Sequence, residues 1–327
     1  MRLGTRASAL ALAQAELVAE LLQAGGDGGS ERGGAAVEIV PIVTRGDRES
    51  AGVDDTAGAL AGDGAPGEPP PGEDKSRWVS ELEHALSDGV IDVAVHSAKD
   101  VPGDPVDGLT IVAAPPRAGA EDALCGASGL SALKPGARVG TSSVRRVAQL
   151  LAAREDLVPV GIRGNVDTRL AKLARGELDA IVIARAGLQR LGREDAVGAV
   201  LDPARFVPAP GQGTLALQAR SDDAGARDAL AAIGSAHALS CLLAERAVAR
   251  ALGASCDTPL GAHAVASDRT LRLRAWVGLP DGSAWLVDEL HGTPAEPEEL
   301  GSELAKRLDA VGAGEMLERA AQMAVAK

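Results

Sequence analysis

The chain has 327 residues, which suits two or three domains of roughly 100 residues each better than a single core. Its formal charge of -13 excludes non-specific nucleic-acid binding and attraction to an acidic membrane surface, so any anionic ligand must be held by a local cluster of cations. Cys125, Cys241 and Cys256, odd in number and irregularly spaced, exclude a disulfide framework. No apolar run reaches the roughly 20 residues of a membrane span, and the N-terminus lacks the apolar core of a signal peptide, so a cytoplasmic protein is expected.

After a first strand ending at Arg6, Ser8 is placed to cap a helix that carries Leu10, Leu17 and Leu21 on one face. The Gly-rich stretch from Gly25 to Gly34 reads as a solvated loop before a strand over Val37 to Val43. Gly46 to Lys75, rich in Gly, Asp and Pro, cannot bury enough apolar surface to order itself. Its place before a helix starting near Trp78 predicts a mobile lid at the mouth of a cleft. Strand-like runs follow at Ile91 to Val95, Leu109 to Ala113, Ala137 to Gly140, Val158 to Ile162 and Ala180 to Ile183. Helical text separates them, including a helix capped by Ser142 or Ser143 that runs through Val147 and Leu150. This alternation predicts an α/β fold with a parallel or mixed sheet covered on both faces. The last third differs. A helix from about Ala238 to Leu252 precedes a hairpin of Thr270 to Val277 and Ala284 to His291 around Pro280-Asp281-Gly282-Ser283, and helical text from Glu298 to Ala326 completes a small α+β domain.

In open α/β sheets, ligands bind beyond the carboxyl ends of the strands, and those positions here carry cations and hydroxyls. Arg6 and Ser8 follow the first strand, and His96-Ser97-Ala98-Lys99-Asp100 follows Val90 to Val95. Thr141-Ser142-Ser143-Val144-Arg145-Arg146 and Arg163-Gly164-Asn165-Val166-Asp167-Thr168-Arg169 follow two later strands. Arginines in the first turn of a helix oppose its dipole, which points to an anion nearby, and paired guanidinium forks beside free N–H groups suit a carboxylate or phosphate. Asp100, an acid beside Lys99 and before Val101-Pro102, suits a group that balances a developing positive charge or relays a proton. Cys256, in the loop-like run Gly253 to Gly261, is the cysteine placed for exposure. Gly211-Gln212-Gly213 matches a dinucleotide fingerprint only superficially, since a strand and not a helix follows it. No histidine or cysteine spacing suits a metal, and the five histidines read as structural.

Together these residues resemble the porphobilinogen deaminase (hydroxymethylbilane synthase) family. The resemblance runs colinearly through Arg2 to Gln14, Val95 to Pro102, Val139 to Arg146, Ile162 to Leu170, Ala186 to Gly192 and Pro208 to Gly213. It implies two doubly wound domains of the type II periplasmic-binding-protein kind joined by hinges, residues 1-115 with 214-232 and residues 116-213, and a third, α+β domain over 233-327. It also implies a dipyrromethane cofactor joined covalently to Cys256, in an enzyme that condenses four porphobilinogen molecules with loss of ammonia. By family position Asp100 is catalytic, and Lys99, Asp100, Thr141, Ser142, Ser143, Arg145 and Arg146 hold the cofactor. Arg6, Ser8, Trp78, Ser97, Arg163, Arg169 and Arg190 meet incoming and growing pyrroles. The implied protein is a metal-free monomer.

The text around Trp78 departs from the family's usual Gly-Lys-Gly-Leu-Phe type stretch, with Trp78 in the aromatic place, and the loop before it is longer and richer in Pro and Gly. Two other readings compete. A non-catalytic carboxylate-binding protein could use the same two-domain clamp, but would leave Cys256 without a task. A dehydrogenase ranks lower for want of a dinucleotide turn.

Overall fold

The computed structural model describes residues 1–25, 36–43, 76–103, 106–255 and 257–325, excluding the side chains of 25, 76–78 and 324–325. The segment expected to form a lid, Gly46 to Lys75, lies outside the described residues, as do Cys256 and the Trp78 side chain.

The first sheet is built from β1 (Arg2–Arg6), β2 (Glu38–Ile42), β3 (Val93–Ser97), β4 (Leu109–Ala113) and a late strand, β10 (Leu215–Arg220), in the order β2-β1-β3-β10-β4. β1 runs parallel to β2 and β3, whereas β10 is antiparallel to β3 and β4. Val93, Ala94 and Val95 are buried in succession, as expected for a strand covered on both faces. Helix α1 (Ala9–Gly25) covers one face through Val18 and Ala19, joined there by α6 (Ala224–Ile233) through Ala226 and Leu230. Helix α2 (Ser76–Ser87) covers the other through Leu82 and Leu86.

The second sheet repeats the pattern with β5 (Asp122–Cys125), β6 (Arg138–Gly140), β7 (Val158–Val160), β8 (Ala180–Ala184) and β9 (Ala199–Val200), in the order β7-β6-β8-β5-β9. β6 is parallel to β7 and β8, and β5 is the antiparallel strand. Helix α3 (Val144–Ala153) packs Leu150 on one face, while α4 (Val166–Ala174) and α5 (Arg185–Arg190) pack Leu170 and Leu188 on the other. Both sheets thus have the strand order of the type II periplasmic-binding-protein fold. The last unit is an antiparallel meander of β11 (Leu260–Ala266), β12 (Leu271–Gly278) and β13 (Trp285–Gly292). α7 (Ala236–Ala251), α8 (Pro297–Asp309) and α9 (Ala313–Val325) back it through Val248, Leu304 and Ala313.

Several local expectations are corrected. Leu17 is exposed, and α1 buries Ala11, Gln14, Ala15 and Val18 instead, because small side chains let the helix lie close to the sheet. β3 extends to Ser97 rather than stopping at Val95, since β10 supplies hydrogen-bonding partners as far as Leu215 opposite Ser97. The helical text after Glu298 breaks in two at Gly312, whose φ of +97° is left-handed. Trp276 alternates outward from the core of its own sheet but is buried against Ala148 and Val207 of the second unit.

Two crossovers link the sheets, and they touch where the Ala118 N–H donates to the Gly213 carbonyl (3.2 Å). Gly213 has φ +84°, and a Cβ there would come within 2.6 Å of the Ala118 oxygen. Gly211, at φ +73°, would bring a Cβ to 3.0 Å from Ala98. The Gly-Gln-Gly run is therefore a close crossing of two chain segments, which only glycine permits.

Candidate active site

The carboxyl ends of β1 and β3 open into a cleft of about 70 Å³ lined by Arg6, Ser8, Gln14, His96, Ser97 and Asp100, with Val79 and Leu82 of α2 as its apolar wall. Ser8 caps α1 as expected, accepting the Ala11 N–H at 3.3 Å. One turn on, the buried Gln14 amide lies 2.9 Å from the Ser97 hydroxyl and fixes it at the end of β3. Lys99 and Asp100 occupy a single 3-10 turn, residues 98–100. The backbone beyond the turn is pinned by Arg246 of α7, whose guanidinium donates to the carbonyls of Val101 (3.0 Å), Pro102 (2.7 Å) and Gly103 (3.2 Å). The Asp100 carboxylate itself makes no hydrogen bond or ion pair with a described residue, so it is available to a ligand.

The second cluster lies at the start of α3 and the start of β5. Ser143 is the N-cap residue, yet its side chain makes no capping bond, which leaves first-turn N–H groups open to an anion. The Ser142 hydroxyl instead ties β6 to the end of β7 by donating to the Ile162 carbonyl (2.6 Å) and accepting its N–H (3.0 Å). The buried Thr141 hydroxyl accepts the Ser143 N–H at 3.2 Å.

Arg145 and Arg146 are 3% and 6% exposed, and both converge on Asp122, which is fully buried. Arg145 Nη2 donates to Asp122 Oδ2 at 2.8 Å and Arg146 Nη2 to Oδ1 at 2.7 Å. Burial alone would raise the Asp122 carboxyl, but the two guanidiniums outweigh it and hold the group down to about 2. Two cations on one anion leave a net positive charge. Arg145 Nε, also buried, has no partner.

Arg163, Arg169 and Arg190 carry no carboxylate partner among the described residues. Arg163 is exposed at the end of β7. Arg169 spends one N–H on the Gly164 carbonyl, and burial, with the nearby Arg146 charge, lowers its pKa. Arg190 donates to the Gly213 carbonyl at 2.7 Å, and burial lowers its pKa to about 10. Cationic groups held against desolvation with no internal anion suit a ligand bearing several carboxylates.

The structure therefore brings Arg6, Ser8, Ser97 and Asp100 into one cleft, and gathers Arg145, Arg146 and Arg169 in the second unit. The sequence reading missed Gln14 and Asp122, and it read His96, which lines the cleft, as structural. It also missed the buried pair Arg117 and Glu245, bonded at 2.7 Å, and Gln212, whose carbonyl accepts from Arg117 Nε (2.9 Å) while its Nε2 reaches Asp122 (3.0 Å). The available signal for Asp122 and Glu245 was an acid at the edge of an apolar run, and it names no partner.

The family model for the porphobilinogen deaminase dipyromethane cofactor binding domain matches residues 1–228, and that for the porphobilinogen deaminase C-terminal domain matches residues 239–310. A porphobilinogen deaminase of Deinococcus radiodurans is 41% identical over 318 residues, 96% of this chain and 97% of the relative. One of Trichlorobacter lovleyi is 40% identical over 327 residues, 100% of this chain and 98% of the relative. Among solved structures, a ligand-binding component of an ABC-type import system from Staphylococcus aureus is 11% identical with a TM-score of 0.37, covering 76% of this chain and 72% of its own. With a cofactor-domain match across both α/β units and relatives of this identity along nearly its whole length, the chain belongs to the porphobilinogen deaminase family.

Proposed function

We propose that this chain joins four porphobilinogen molecules head to tail, with loss of ammonia, into hydroxymethylbilane, the linear tetrapyrrole, and that the cleft at Asp100 is where the chemistry occurs. Family membership carries the reaction. The observation that supports the site is an unpaired carboxylate, Asp100, in a cleft whose rim carries Arg6 and Ser8. As ammonia leaves, positive charge develops on the pyrrole. Asp100 is positioned to hold the ring N–H and stabilise that charge, an electrostatic contribution that needs no reorganisation because the 98–100 turn is already braced by Arg246.

The residues present fit a dipyrromethane. Each of its pyrroles carries an acetate and a propionate arm, and the second unit offers a net cationic Arg145–Arg146–Asp122 cluster, an orphaned Arg145 Nε and an open helix N-terminus at Ser143. Lys99, Thr141, Ser142, Ser143, Arg145 and Arg146 are proposed to hold those arms, and Cys256 to carry the thioether. When bound, the cofactor supplies a free pyrrole α-carbon as the nucleophile and a covalent anchor for the chain. Arg6, Ser8, Ser97, Arg163, Arg169 and Arg190 then bind the acid arms of later pyrroles, and Trp78 is assigned to the same pyrroles by family position alone. Cys125 and Cys241 are poor alternatives for attachment, since burial pushes both thiols up to about 11 and suppresses the thiolate.

The same proposal divides the chain at 1-115 with 214-232, 116-213 and 233-327, and has it act as a cytoplasmic monomer; the charge of -13 supports the absence of a nucleic-acid partner. No helix among the described residues is long and apolar enough to cross a membrane. Intact mass is the test: the wild-type protein should exceed its chain mass by two linked pyrroles, and Cys256→Ala should not. An active Cys256→Ala enzyme, or pyrrole mapped to Cys125 or Cys241, overturns the attachment site.

A further inference from the structure

His96 is 5% exposed, yet it lines the cleft beside Asp100. Its surroundings determine which nitrogen carries the proton. The Glu83 carboxylate of α2 accepts a hydrogen bond from Gln218 Nε2 at 3.1 Å, so the amide of Gln218, on β10, turns its Oε1 towards His96 Nε2, 3.0 Å away. A carbonyl oxygen only accepts, so Nε2 bears the hydrogen and Nδ1 is left with a lone pair. No described group donates to Nδ1. Burial lowers the imidazole pKa to about 4 against the opposing effects of Gln218 and Asp100, with Arg246 lowering it further, so the ring is neutral in the working range.

We propose that His96 is a second ligand-binding acceptor in this cleft, its Nδ1 accepting an N–H of the porphobilinogen bound at Asp100. The two acceptors divide the work. Asp100 carries the charge that a developing cation requires, and the neutral imidazole adds direction without a second negative charge. Glu83 and Gln218 are positioning residues that set the tautomer. The inference rests on the Asp100 cleft being the reaction site.

Three variants of the holoenzyme test it. Asparagine places an oxygen where Nδ1 stood, whereas glutamine reproduces the Nε2–H that meets Gln218. His96→Asn should therefore stay within about three-fold of wild type in kcat/KM, while His96→Gln and His96→Leu fall about ten-fold, the size of one ordinary hydrogen bond. The reverse order, with His96→Gln intact and His96→Asn impaired, marks the ring as structural and overturns the proposal. Nitrogen-15 NMR of the wild-type holoenzyme supplies a readout independent of variant folding. A single Nε2–H tautomer whose Nδ1 resonance moves on addition of porphobilinogen is expected, and an Nδ1–H tautomer or an unmoved resonance is fatal. A fully active Asp100→Asn would remove the site itself, whereas an inactive Asp100→Asn beside an unaffected His96→Leu removes only the role of His96.

Discussion

At Asp122 two adjacent arginines are almost wholly buried and share one carboxylate, with no second one beside them among the described residues. Removing one member of such a buried set leaves charges uncompensated, so Asp122→Asn is expected to lower stability by about 3–5 kcal/mol, measured as a shift in the urea midpoint. A shift under about 1 kcal/mol would mean that water already solvates the guanidiniums. The pH dependence has two parts. His96 is held neutral, with its pKa lowered from 6.5 to about 4, so the unfolded chain gains a proton the folded one refuses, and stability falls as pH drops from 6.5 towards 4. Asp122, lowered from 3.8 to about 2, contributes stability that is present above 3.8 and lost as pH falls through 2. Urea midpoints measured across both windows should show the upper loss vanish in His96→Asn. For catalysis, Asp100→Asn should fold and lose about 100- to 1000-fold in turnover, as when one electrostatic stabiliser is removed. Near-normal rates from a folded, cofactor-loaded variant would place the chemistry elsewhere.

Among the elements, the crossing at Gly211-Gln212-Gly213 is the one where backbone geometry and function coincide. Gly213→Ala must accept both a left-handed backbone and a Cβ 2.6 Å from the Ala118 oxygen, and is expected to cost about 1–3 kcal/mol or more. Gly89, at φ +66° with nothing within 4 Å, supplies the comparison: Gly89→Ala should cost only about 1 kcal/mol. Equal midpoints for the two variants would show that the crossing is looser than described. Elements with strong local signals were legible in the sequence. β12 alternates buried Leu271, Leu273 and Ala275 with outward Arg272 and Arg274, and β3 opens on the buried apolar run Val93, Ala94 and Val95. β5 and β9 were not legible, because a four-residue and a two-residue strand acquire their pairing from β8 and from each other, not from their own pattern.

Across the molecule, one buried ion pair ties the three units together. Glu245 of α7 accepts from Arg117 on the first crossover (2.7 Å), from the Gly211 N–H on the second (2.6 Å) and from the Ala264 N–H of β11 (2.7 Å). Arg117→Met and Glu245→Met are each expected to destabilise by about 3–5 kcal/mol, and the double variant by less than either, since it leaves no charge buried alone. Additive losses in a double-mutant cycle would show that the pair is not coupled.

The positions of Arg6, Ser97, Asp100, Arg145 and Arg146 at strand ends and helix starts followed from the sequence, because strand periodicity, caps and the run of cations are local properties. Whether each charge is free or already occupied did not. Asp122 lies 23 residues from Arg145 and Glu245 lies 128 from Arg117, and no local pattern encodes partners at such separations. Nor does a sequence specify which nitrogen of His96 holds its proton, which depends on Gln218, 122 residues away, and on Glu83, itself 135 residues from Gln218. The sequence determined the kinds of group that reach each end of the sheets. Tertiary packing decided which of them remain unpaired and open to a ligand, because burial makes every unmatched charge costly and so compels the distant pairings.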